Sequence, residues 1–216
     1  MRSPTSLALR RTALVRLATI AALVLAACQQ GERGGAPRVA ATDTPAAVAL
    51  PVDSYLPPEE ALRRFREGVP QVTRLSGGAP TRDSLVALFE AAVRDRDTAL
   101  VNRLIVSRAE FAWLVYPSSP LREPPYELDP QMAWYQLRMQ SEKGISRVLD
   151  RMGGPAFDLL GHRCPKAAAR EGENEVWQEC VVRLREPGGG EDEARLFGSI
   201  VRRGEQFKFA GYGNDL

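Results

Sequence analysis

The chain has 216 residues, 29 of them basic and 27 acidic, for a formal net charge of +2. That balance offers no basic face for nucleic acid. Three cysteines and one histidine, with no Cys-x-x-Cys spacing, argue against a zinc site, and no Gly-x-Ser-x-Gly, phosphate-loop or His-Glu-x-x-His pattern marks a familiar enzyme.

Residues 1–27 carry Arg2, Arg10, Arg11 and Arg16 and no acid. The apolar run from Leu17 to Leu25 is shorter than the roughly 20 residues of a spanning helix. A basic start, a short apolar run and small residues before a cut predict a cleaved secretory signal. The step Leu25-Ala26-Ala27-Cys28 resembles the lipobox of bacterial lipoproteins. The resemblance implies diacylglyceryl transfer to the Cys28 sulfur, cleavage before Cys28 and acylation of the new amine, with fatty chains such as palmitate. A plain cleaved signal followed by an unrelated cysteine is the alternative. Two or more chains hold a protein on a membrane stably, whereas one of about 14 carbons is marginal. Arg10-Arg11 admits twin-arginine export beside the general route. Gln29, rather than Asp, follows Cys28, and by the family's sorting pattern this implies an outer membrane facing the periplasm in a host that has one. Loss of residues 1–27 removes four arginines, so 29 − 4 = 25 basic residues remain against 27 acidic, a net charge of −2.

Residues 28–53, rich in Gly, Ala, Pro and Thr, predict a lipidated flexible tether. About 25 such residues reach roughly 25–30 Å on average. Residues 54–79 predict a lead-in helix and turn. Pro57 and Pro58 open the helix, Glu59 and Glu60 fill its first turn and Gly68 stops it. Its basic residues either touch lipid phosphates or form a solvated face. Residues 80–216 read as one folded domain.

Thr81 caps a helix over 82–95 with Leu85, Leu88, Phe89, Ala92 and Val93 on its inner face. Asp97 starts a second helix, and Ser107-Arg108-Ala109-Glu110 is a capping box. A stiff loop with Pro117, Pro120, Pro124 and Pro125 follows, of the kind that rims a site. Asp129 and Pro130 open a long helix with Trp134, Leu137, Ser141, Ile145, Val148 and Met152 on one side and a bend expected at Gly144. After Pro155 the period becomes two. Four strands are predicted, over 157–164, 175–185, 194–203 and 206–212, the last two joined by a tight turn at Gly204. On the second, Val176, Gln178, Cys180, Val182 and Leu184 are expected to share a face. Cys164 and Cys180 read as a disulfide between neighbouring strands in an oxidising compartment, or else as two buried thiols.

Helices followed by an antiparallel meander define an α+β domain. The order over about 80–214 resembles NTF2-like, or SnoaL-like, domains, which implies N-terminal helices packed on a curved, cone-like sheet of about four strands with a pocket at its open end. The run Arg74-Leu75-Ser76-Gly77-Gly78 is similar to one in other envelope lipoproteins.

Candidate pocket lining is Trp113, Trp134, Tyr135, His162 and Trp177, the aromatic residues serving equally well as core. His162 is expected to share a strand face with Asp158, Leu160 and Cys164, too far from Asp158 to pair with it. A catalytic His162 would need Tyr135 or Glu175. Glu171, Glu173 and Glu175 lack calcium-loop spacing, and Glu191-Asp192-Glu193 reads as a solvated turn. No catalytic residue, metal or cofactor is assigned. The expected role is a membrane-anchored envelope lipoprotein that binds a small apolar ligand or an envelope protein without chemistry. The rivals are an NTF2-like isomerase or hydrolase using His162, and a purely structural envelope protein.

Overall fold

Two prolines set the first helix, α1, over Pro58–Phe65. Pro58 sits in its first turn, where no amide donor is needed, with Glu59 and Glu60 beside it and Arg63 and Arg64 in the last turn. Its apolar edge is buried, with Ala61, Leu62 and Phe65 enclosed and Phe65 meeting Phe111 edge to face at 5.9 Å. The computed structural model describes residues 56–154, 158–185 and 189–216. The signal at 1–27, Cys28 and the tether at 28–53 lie outside the described residues, as do Pro155 and Phe157.

Helix α2 spans Arg82–Arg94 and is opened by a reciprocal cap between Thr81 and Ser84. Its buried face holds Val86 where Leu88 was expected, and Leu88 is exposed. Helix α3 spans Thr98–Leu104, capped by Asp97. Helix α4, Arg108–Glu110, begins at the predicted capping box and runs into a π turn over Phe111–Val115. Helix α5 runs from Pro130 to Met152, with the Asp129 carboxylate accepting from the amides of Gln131 and Met132.

Seven strands form among the described residues: β1 Asp158–Arg163, β2 Ala169–Glu171, β3 Asn174–Trp177, β4 Val181–Arg185, β5 Glu191–Ala194, β6 Ile200–Arg203 and β7 Gln206–Phe209. They make two antiparallel sheets, ordered β1-β4-β5 and β2-β3-β6-β7. The first predicted strand falls on β1, and the other three are too long. The second divides into β3 and β4, and the third into β5 and β6. A regular strand turns successive side chains to opposite faces, yet Val176 and Trp177 are both buried, and so are Leu196 and Phe197. In β3 both faces are covered, Val176 lying in one core and Trp177 in the other, so the pleat is kept there and the chain leaves it only afterwards. It does so at Glu179, which has φ 55°, and across residues 195–199. Val176 then joins one core cluster while Cys180, Val182 and Leu184 join another, so the shared face expected for them does not form.

The order of partners is nevertheless the same on the two sides of the break. β1 and then β2 run antiparallel to β4 and then β3, and β5 and β6 continue alongside in the same sense. Glu191–Glu193, expected in a turn, lies in edge strand β5, where Glu193 and Glu191 stand opposite Arg183 and Arg185 of β4. Charge on an edge discourages further strand addition.

The larger core lies under α2 and centres on Phe89, which meets Phe197, Phe209 and Tyr212 at 5.4–5.6 Å. The smaller packs α1, the π turn and α5 around Phe111. Gly144 serves close approach: a Cβ there would stand 1.8 Å from the Tyr212 carbonyl oxygen. The C-terminal segment is fastened at that point, with the Tyr212 amide donating to Ser141 Oγ at 2.9 Å and the Tyr212 hydroxyl to the Val101 carbonyl at 2.7 Å.

The Arg74–Gly78 run is a strap across β7. Leu75 is buried, and Ala79 pairs with Phe207 through two backbone hydrogen bonds. A Cβ on Gly78 would stand 2.1 Å from the Phe207 carbonyl oxygen.

Candidate functional site

Helices α1 and α5 leave a groove of about 380 Å³ between them, lined by Leu56, Ala61, Arg64, Phe65, Met132 and Tyr135 with Asp129 and Gln131 at its end. The helical repeat decides which α5 residues reach it. Trp134 turns inward against Phe111 at 5.2 Å, while Tyr135, one position on and about 100° round the axis, turns outward. Met132, Tyr135 and Met139 lie at i, i+3 and i+7 and are 48%, 58% and 49% exposed, one apolar stripe on solvent.

Charge beside this groove is already paired. Glu60 receives Arg63 at 2.7 Å and Arg64 at 2.8 Å, and Arg63 also reaches Glu67 at 2.9 Å. Hydrogen bonds from the two guanidinium groups hold the Glu60 carboxyl down to about 2. On α5, Arg138 pairs with Glu142 one turn on.

The imidazole of His162 lies elsewhere, against α2. Between Leu159 and Gly161 the register slips by one residue, so His162 comes opposite Val182 and Leu159 opposite Leu184, both core residues. The slip reverses the expected face: Leu159 and His162 point to the core side, not Asp158 and Leu160. The nearest carboxylate is Asp83 on α2, 3.6 Å from His162 Nε2 and 93% exposed, a separation longer than a hydrogen bond. Burial lowers the imidazole's pKa, with Asp83 pulling it up and Arg82 pushing it down. Gly161, His162, Arg163, Val181, Arg183 and Glu193 line a dish of about 260 Å³ there, crossed by an Arg163–Glu193 ion pair at 3.0 Å.

The other proposed lining residues are separated. Trp177 packs in the larger core, with the Arg82 guanidinium 4.8 Å over its ring. Trp113 packs at the edge of the smaller core under Arg66 at 4.1 Å. Tyr135 and His162 line different depressions. Glu175 is engaged by Arg202 at 3.0 Å and Arg170 at 3.5 Å, and Glu173 by Arg203. Burial alone raises the Glu171 carboxyl. Cys164 and Cys180 are joined in a disulfide one step beyond the β1–β4 pair Arg163–Val181.

Sequence reasoning missed a buried ion pair. Glu110 and Lys208 are almost wholly enclosed and meet at 2.8 Å. The carboxylate also accepts from the amides of Ser76 and Ser107, each at 2.8 Å, while Lys208 Nζ donates to the Ser76 carbonyl at 2.8 Å. Glu110 was visible only as the local capping residue. The alternation of β7 marks Lys208 as opposite in polarity to Phe207 and Phe209, but not as buried. Every polar atom of this pair is turned onto the strap and α4, which makes it a fastening and not a site.

Among the described residues no helix is long and apolar enough to cross a membrane, and no group of His, Cys, Asp and Glu is placed to hold a metal ion. Compared with protein-family models, curated proteins and solved structures, the chain matches none.

Proposed function

We propose that the chain is a membrane-anchored cell-envelope lipoprotein whose folded unit is a binding module without chemistry, and that the α1–α5 groove is its contact surface. The observation that carries this reading is the stripe of Met132, Tyr135 and Met139 left on solvent beside a groove with an apolar floor. Exposed apolar area gathered in one place is a usual mark of an interaction surface. The anchor rests on the lipobox-like step at Cys28. Intact mass of protein purified from membranes should exceed that of the chain from Cys28 by its acyl groups, and Cys28→Ser should release the protein or stop its processing. A processed Cys28→Ser chain that stays on membranes would refute the anchor.

The two sheets are, on this reading, the halves of one curved NTF2-like sheet. The same succession of partners in the two sheets, β1 then β2 against β4 then β3, supports it. One observation favours a second reading, an isomerase or hydrolase of NTF2-like type: the Asp83 carboxylate 3.6 Å from His162 Nε2. Apo distances of catalytic pairs often shorten in complexes. A folded His162→Ala chain that loses a turnover shown by the wild type would promote it over the binder.

A further inference from the structure

We infer that the groove-side stripe of α5 lies on the lipid bilayer itself, with Met132, Tyr135 and Met139 entering the headgroup layer. The inference rests on the lipoprotein reading and names the partner of its contact surface.

The segment that leads from Cys28 joins the fold at this groove. Leu56, the first described residue, lines the same groove as Met132 and Tyr135. Residues 29–55 separate it from Cys28, and a chain of their composition reaches roughly 25–30 Å on average. A domain of this size is roughly 40 Å across. A tether shorter on average than the domain it carries keeps the joined face nearer the anchor, on average, than the opposite face.

Tyr135 presents a ring with a polar tip, the form favoured at a membrane–water boundary. Methionine is flexible and packs against irregular apolar surroundings. Arg64 and Arg138 flank the stripe on long stems that can lift their charge toward water. Both already have carboxylate partners, Glu60 and Glu142. Contact is therefore apolar and insensitive to salt, unlike adsorption through a basic patch. Three half-exposed side chains make a weak surface alone, but the anchor makes their contact intramolecular and weak affinity then suffices.

The test separates this inference from the anchor reading. With Cys164 and Cys180 bonded to each other, Cys28 is the one free thiol of the chain from Cys28 to Leu216. That chain can be coupled through Cys28 to a maleimide lipid in phosphatidylethanolamine–phosphatidylglycerol vesicles, whether or not cells lipidate it. A photo-crosslinking residue is then introduced as Tyr135→p-benzoylphenylalanine, or as Glu191→p-benzoylphenylalanine on the charged edge strand. The expected result is lipid adducts about tenfold more abundant at 135 than at 191, unchanged in 0.5 M NaCl and reduced several-fold by Met132→Ser with Met139→Ser. Equal lipid labelling at the two positions overturns the inference, and so does crosslinking at 135 chiefly to a second copy of the chain. Failure of the anchor reading would show instead as an unacylated mass in protein taken from cells.

Discussion

Lys208→Met should destabilise the fold far more than a surface lysine would. At 2.8 Å and an effective dielectric of 20, the attraction between Lys208 and Glu110 is about 6 kcal/mol. Burying the two charges costs several kcal/mol for each ion, so the pair as a whole contributes little net stability. Removing one partner is different. The Glu110 carboxylate would stay enclosed with only the Ser76 and Ser107 amides to answer it, and the Ser76 carbonyl would lose its donor. Breaking a buried pair in this way costs about 3–5 kcal/mol, a large share of the stability of a typical domain. Urea unfolding of the soluble Cys28→Ser chain measures it. Adding Glu110→Gln to Lys208→Met removes both charges while keeping an acceptor for one amide. The double variant should therefore be less destabilised than the sum of the two singles by at least about 2 kcal/mol. A loss under about 1 kcal/mol for Lys208→Met, or additive single variants, would refute this account of how the strap, α4 and β7 are fastened.

Gly144→Ala should cost about 2 kcal/mol through overpacking, which for a domain of this size lowers the melting temperature by roughly 4–8 °C in calorimetry, because the new Cβ would fall 1.8 Å from a backbone oxygen that is held by the Tyr212 contacts; a neutral or raised value, as helix propensity alone would give, would count against that close approach. His162 predicts a pH dependence. Its folded pKa is lowered by burial, so the unfolded chain takes up the proton first as pH falls below about 6.5, and the stability present above that pH is lost toward the depressed folded value. The difference in stability between wild type and His162→Gln should slope below pH 6.5 by no more than about 1.4 kcal/mol per pH unit and be flat above it, and a difference that is flat from pH 5 to 8 would exclude the buried neutral imidazole. Replacing both Cys164 and Cys180 by Ala should cost about 3 kcal/mol for a loop of this length, and the oxidised wild type should weigh two hydrogens less than the reduced form by intact mass.

The α+β class and the starts of α1 to α5 were legible in the sequence because they depend on neighbours. Thr81, Asp97, Ser107 and Asp129 each cap a helix through amides within three residues, and a capping side chain finds the same amides in any tertiary setting. The Cys164–Cys180 bond was legible as one of two possibilities, since strand order brings the residues together whichever face they take.

What the tertiary structure alone decided was where the chain breaks period and which way each side chain then points. A one-residue slip beside Gly161 exchanged the faces of β1 and turned His162 from Asp158 toward Asp83. The break at Glu179 divided a strand that reads as continuous and placed Val176 and Val182 in separate cores. Periodicity carries no signal for such slips, because one extra residue is a small local change that inverts every face after it. The same holds for the contact surface. Trp134 and Tyr135 are adjacent aromatic residues in the sequence, and only the packing of α5 against Phe111 of the π turn partly buried one and left the other on solvent. Lys208 is the furthest case. The partner that lets its charge be buried lies 98 residues away on α4, and no local pattern encodes a contact at that separation, because it exists only once the strap and β7 have closed over it.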